Sequence, residues 1–272
     1  MISRTFKTIG LVVLGILPYS TILSNFSPYW TTHTFQDFLV ASLIFAFISV
    51  MLAWIICTKN LFKKESFCFF MLGMITAPPL MLGPPEQTPK LLDRVSEEHF
   101  RYGMLILATV VFIAGFIVHL KKIWKEFSFT SKLILIPFVI CTVLLIWDNF
   151  SSHNFAQELK NWISDGKKAE DFFANYNFHE FFRTLGRSLL YVLTAWLGFI
   201  LFKRKLIRKW QAIFLLIFSS VGILFFLLYN LINPAFYFPF MVPAVAMAPA
   251  YWVGLMLTAK RKSSPQSISN ED

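Results

Sequence analysis

The chain has 272 residues, of which 56% are hydrophobic and only 15% charged, and a formal net charge of +10. A soluble domain carries about a quarter charged residues, so the composition excludes an ordinary water-soluble fold. The basic residues are spread along the chain as flanks of apolar runs rather than gathered into one patch, which argues against a nucleic-acid partner.

Eight apolar runs follow one another, at roughly 8–24, 38–57, 66–83, 102–120, 133–147, 186–202, 210–231 and 235–258. Each comes near the ~17–25 residues with which a helix crosses a bilayer. They predict an all-α integral membrane protein, a bundle of about eight transmembrane helices. Cationic residues gather on the cytoplasmic side of such proteins. Here 17 of the 25 Lys and Arg residues fall in alternate gaps: Arg4 and Lys7, then 59–64, 121–132, 203–209 and 260–262. The opposite gaps hold 11 of the 15 carboxylates. N- and C-termini are therefore both expected in the cytoplasm, and lipid headgroups are expected to meet the cationic flanks. A plasma membrane or bacterial inner membrane is the expected location.

Residues 1–262 read as a single polytopic membrane domain and 263–272 as a disordered cytoplasmic tail. Arg4 and Lys7 precede the first run as in a signal sequence, but no small-x-small cleavage site follows, so the first run reads as an uncleaved span. The third run ends in Ala77-Pro78-Pro79 and the eighth carries Pro234, Pro239, Pro243 and Pro249. Proline deletes a helix hydrogen bond, and a carbonyl freed within lipid needs a partner in protein. Those two runs are expected to face other helices, as packing kinks or beside a substrate path.

Two outer loops are substantial, 84–101 and 148–185. Within the second, Phe155, Leu159, Trp162 and Ile163 recur with helical spacing between a capping Asn154 and a terminating Gly166. That stripe predicts a separate helix lying in the headgroup region, followed by a short piece with Phe172, Phe173 and Tyr176. Together they would form a lid over the outer mouth or inert packing. Asn25-Phe26-Ser27 and Asn149-Phe150-Ser151 match the glycosylation pattern. Cys57, Cys68 and Cys141 show no ligand spacing and read as apolar fillers.

No Asp, Glu, Lys or Arg falls in the middle of a predicted run, which counts against ion-coupled transport through a charged midplane site. Ionisable groups gather at the outer boundary instead. Glu97-Glu98-His99-Phe100-Arg101 enters the fourth run and His179-Glu180-Phe181-Phe182-Arg183 the sixth, the latter followed by Arg187. With the arginines aligned, each reads (Glu or His)-Glu-x-Phe-Arg. Glu98 and Arg101 share a helix face, as do Glu180 and Arg183. One reading has acidic residues complementing helix N-termini while the arginines pair with them or with lipid phosphate.

The other reading is a site. Glu97, Glu98, His99 and Glu180 would be catalytic. Arg101, Arg183 and Arg187 would bind a carboxylate, phosphate or headgroup. His99, His153 and His179 would hold zinc, or paired histidines a haem, as cofactor. GxSxG, GxxxxGK[ST] and HExxH are absent from the sequence. The expected function is an enzyme or binder at the extracytoplasmic interface, acting on a lipid, lipid-linked or peptide substrate. The alternatives are a transporter whose path follows the proline-broken third and eighth runs, and a non-catalytic subunit or assembly factor with a partner membrane subunit.

Overall fold

The computed structural model describes residues 4–57, 64–86, 88–123, 132–175, 180–236, 240 and 242–259. Among them the chain is all helix, without strands. The helices are α1 (Arg4–Ile16), α2 (Phe35–Cys57), α3 (Lys64–Met81), α4 (Val95–Ile123), α5 (Leu135–Ser164), α6 (Ala169–Asn175), α7 (Glu180–Lys203), α8 (Lys209–Leu231), α9 (Pro243–Ala246) and α10 (Ala248–Ala259). The expected tail 263–272, His179 and Tyr176 lie outside the described residues.

Five helices, α2, α4, α5, α7 and α8, are long and apolar enough to cross a membrane. The other three predicted runs form shorter apolar helices, Thr5–Tyr19, Ser66–Met81 and Pro243–Thr258. Proline accounts for the shortening. Pro18 turns the end of the first into a 3₁₀ segment, Leu17–Tyr19, Pro78 and Pro79 sit in the last turns of α3, and in the eighth run Pro234–Phe236 is 3₁₀ and α9 starts on Pro243.

Burial sorts these elements. Only 28% of the apolar stretch of α2 and 17% of that of α8 is buried, against 61% in α7. The first two show their apolar side chains to lipid. The short α3 and α9–α10 lie inside: Phe69, Phe70, Leu72, Met74, Ala246, Met247 and Ala250 are all buried. Helix α10 packs against α1, α3, α7 and α8, and α4, α5, α7 and α8 follow one another as neighbours around it. Contact between α3 and α10 is very close. A Cβ on Gly254 would stand 2.4 Å from the Phe70 backbone nitrogen, and one on Gly73 2.5 Å from the Tyr251 ring. Within lipid, such small-residue seams replace the hydrophobic drive that water would supply.

The interior side chains complete hydrogen bonds that proline removes. In α1, the Leu14 carbonyl would normally accept the N–H of residue 18, which is Pro18 and has none. The Tyr251 hydroxyl on α10 donates to that carbonyl instead. Next to it, Trp252 Nε1 donates to Gly15 O at 3.0 Å. Across the bundle, Tyr191 of α7 donates to Phe240 O at 2.8 Å, reaching the irregular chain that precedes α9. The expectation that proline-broken segments face other helices is met in this way.

One element differs from its prediction. The fifth run and the expected surface helix are one continuous helix, α5, 30 residues long. At 1.5 Å per residue it measures ~45 Å, beyond a ~30 Å hydrocarbon core. Asn154 is an interior residue rather than a cap, whereas Gly166 does end the helix, at φ +75°. Most of the apolar stripe is covered by protein, while Ile163 stays exposed. Phe155 and Leu159 are buried with Leu91 and Phe172 in a small second core, with Trp162 packed against it. The stripe has a protein partner, contributed by the 3₁₀ turn Pro89–Asp93 and by α6. His119, in the last turns of α4, is buried. The three cysteines are free thiols, with Cys57 and Cys141 buried.

Candidate functional site at the outer ends of the helices

The first turns of α4 and α7 carry the two similar clusters, and the structure uses them differently. In α4, Arg101 and Glu98 are both buried. Arg101 Nε donates to Glu98 Oε2 at 3.1 Å. Its Nη1 donates to Pro79 O at 2.8 Å and Gly83 O at 2.6 Å, and its Nη2 to Pro84 O at 3.2 Å. Those carbonyls are the frayed C-terminal end of α3. A guanidinium there satisfies orphan acceptors and faces the negative end of the helix dipole. Ser27 Oγ also donates to Leu82 O at this end. Arg101 therefore caps the proline-broken helix, and its donors point into protein.

In α7, Arg183 and Arg187 converge on Asp148 of α5. Arg187 Nη2 donates to Asp148 Oδ2 at 2.8 Å, and Arg183 Nε pairs with Oδ1 at 3.0 Å. The Asp148 side chain is only 3% exposed. Arg183 also donates to Ser152 Oγ at 3.3 Å and lies 3.8 Å from Glu180. Above it, the Phe155 ring packs against the guanidinium at 5.1 Å. Helices α5 and α7 are thus clasped near the start of α7 by one carboxylate shared between two cations. Neutral pairs extend the layer sideways, Asn149 to Thr109 on α4 at 3.3 Å and Asn230 of α8 to Thr184 at 3.2 Å. The two clusters come near one another at Tyr102, which lies within electrostatic reach of Glu98, Arg101, Asp148 and Arg183.

Asp148 is the functional-looking residue that sequence reasoning missed, because it reads as the first residue of a loop. A signal was present. The buried positions of α5 are Phe138, Cys141, Leu145, Asp148, Asn149, Ser152, Phe155, Ala156 and Leu159. Steps of three and four carry this stripe straight through the polar stretch, so one helical period already joined span to loop. The same placement leaves Asn149, buried and bonded to Thr109, closed to glycosylation.

The histidines separate. The His99 and His153 rings stack at 4.5 Å with 11° between their planes. Stacked rings present π faces to each other, and their nitrogen lone pairs lie in the ring planes rather than converging. His179 is outside the described residues. Among the described residues, no group of three or more His, Cys, Asp or Glu is placed to hold a metal. His33 sits apart, beside Asp37 at 3.8 Å.

Of the first cluster, His99 is exposed and Glu97 partly covered. Glu97 turns to Arg94, 3.6 Å away, rather than to Arg101. Both members of that pair line an open cleft of about 570 Å³, formed by Thr34, Phe35 and Gln36 at the start of α2 and by residues 92–97. That volume is within the ~300–1,000 Å³ range of small-molecule sites. No protein-family model, curated protein or solved structure matches the chain.

Proposed function

We propose that this multi-pass membrane protein recognises the polar head of a lipid or lipid-linked molecule at the extracytoplasmic interface, with the chain crossing eight times and both termini in the cytoplasm. The alternation of cationic and acidic gaps along the sequence supports that orientation. One observation carries the functional reading. Behind the outer surface, Glu98–Arg101 and Arg183–Asp148–Arg187 are buried and mutually paired, which makes a rigid floor. In front of it, Glu97 and Arg94 remain partly exposed on an open cleft. Glu98, Arg101, Arg183 and Arg187 accordingly hold the helix ends, while Glu97, His99 and Arg94 meet the ligand.

The test is the lipid that accompanies the protein through purification in mild detergent. Mass spectrometry should find a bound lipid or lipid-linked species that is lost in the Glu97→Ala/His99→Ala double variant and kept in Lys209→Ala, which alters the opposite face. Equal retention in all three would sink the assignment, as would the absence of any bound lipid from the parent protein.

A second reading is favoured by a separate observation, the burial of the proline-broken α3 and α9–α10 at the centre of the bundle. Discontinuous helices at the centre of a bundle are the kind carriers use. Solute flux in proteoliposomes would establish it, and binding without flux would reject it.

A further inference from the structure

We propose that the cleft between the start of α2 and the start of α4 is a headgroup site for a zwitterionic amino-phospholipid, with Arg94 holding the phosphate and Asp93 and Glu97 holding the ammonium. This deepens the outer-face reading above and rests on it.

Arg94 is held in place by a chain of contacts. Gly83 adopts φ +122°, and a Cβ there would stand 2.7 Å from the Tyr29 ring. Only glycine lets that ring lie so close. The Arg94 guanidinium then stacks on the same ring, 4.4 Å from its centre. The arginine is thereby aimed before any ligand arrives. Its Nη1 makes an ion-pair contact with Glu97 Oε2 at 3.6 Å, too long for a hydrogen bond, and part of the side chain stays exposed. The guanidinium can therefore still donate to an anionic oxygen entering the cleft.

The charges select the ligand class. Helix α4 opens into the cleft by its N-terminus, worth about half a positive charge, with N–H groups of its first turn lacking partners within the helix. The N-terminus of α2 is already capped, because Asp37 Oδ2 accepts from the Thr34 N–H at 2.9 Å and from the Thr34 hydroxyl at 2.8 Å. Arg94 and the α4 terminus therefore stand against two carboxylates, Asp93 and Glu97. The balance is close to zero and slightly negative. A purely anionic headgroup would meet the excess negative charge that Asp93 adds to the Arg94–Glu97 pair. A phosphate diester carrying a primary ammonium meets both signs.

The lipid source follows from what adjoins the cleft. Below Phe35 and Gln36, α2 exposes Val40, Leu43, Ile44 and Phe47, a face for acyl chains, and Trp30 is 60% exposed beside it. Aromatic side chains of this kind settle at headgroup level.

The experiment uses the full chain in nanodiscs of phosphatidylcholine doped with either phosphatidylethanolamine or phosphatidylglycerol. Bound lipid is counted by native mass spectrometry after release, and soluble O-phosphoethanolamine is the competitor. The parent protein should retain phosphatidylethanolamine preferentially. Arg94→Gln should lower that retention about tenfold or more, the loss expected for a charge-assisted hydrogen bond. Asp93→Asn should bring phosphatidylethanolamine and phosphatidylglycerol to parity. Should Arg94→Gln not fold, Asp93→Asn decides, since its exposed side chain is free to change: unaltered selectivity overturns the site. Binding of O-phosphoethanolamine without retention of the lipid overturns the lipid assignment. Retention of another lipid class, insensitive to Arg94→Gln, overturns this site and leaves the outer-face reading standing. Retention of no lipid at all overturns both.

Discussion

Asp148 shows what one side chain decides. Its carboxylate is buried between Arg183 and Arg187, so it neutralises two guanidinium groups that belong to a different helix. Removing it would take from both cations the carboxylate they share in a buried layer. Breaking a buried pair by deleting one partner costs ~3–5 kcal/mol. Asp148→Ala should therefore lower the unfolding midpoint in detergent far more than Arg187→Met, which leaves the Asp148–Arg183 pair standing. Equal effects of the two variants would show that the shared carboxylate has no special weight. Arg101 makes the complementary point. Its partners are Glu98 and the carbonyls of Pro79, Gly83 and Pro84. From the sequence it reads as a ligand-binding arginine, because nothing in the local spacing shows that the broken end of another helix lies above it. The pairing of Glu98 with Arg101 was, by contrast, legible from i, i+3 spacing alone, whereas Glu97 turns to Arg94.

Among the elements, the short interior helices depend on their neighbours for hydrogen bonds. The Tyr251 hydroxyl stands in for the N–H that Pro18 lacks, and it does so from α10, more than 230 residues away in the chain. Tyr251→Phe should destabilise the protein by ~1–3 kcal/mol, the cost of an unsatisfied buried acceptor. Pro18→Ala restores a local donor, so Tyr251→Phe should cost much less in that background. A double-mutant cycle measured by detergent unfolding would reveal this coupling, and additive effects would refute it. Helix α5 teaches the opposite lesson about continuity. A polar stretch, Asp148-Asn149-Phe150-Ser151-Ser152, looks like a loop by composition, yet no glycine or proline interrupts it. With Asp148, Asn149 and Ser152 each hydrogen-bonded to a neighbouring helix, the polar stretch stays helical.

At the scale of the molecule, α2 and α8 leave most of their apolar stretches exposed while α3 and α10 are buried, and the ionic layer around Asp148 lies between that core and a second, smaller core of Phe155, Leu159, Phe172 and Leu91. Lys160 stands twelve residues beyond Asp148 on α5, ~18 Å further along the helix. Cysteines introduced at Asp93 or Lys160 should react with a membrane-impermeant maleimide applied from outside intact cells. Cysteines at Lys121 or Lys209 should react only after permeabilisation. Reversed labelling would overturn the orientation and, with it, the placement of the site.

By itself the sequence determined that this chain is helical and membrane-bound, where its apolar runs lie, and which of them proline would interrupt. Those properties arise from hydropathy, charge and backbone chemistry, each of which acts over a few neighbouring residues. Only the tertiary structure decided that Arg101 caps α3, that Asp148 binds two arginines, that Tyr251 serves α1, and that most of the apolar stripe of α5 is covered by protein. Each of these joins groups far apart in the chain, and a side chain's partner in a low-dielectric interior is whichever unsatisfied group the packing of helices brings within about 3 Å.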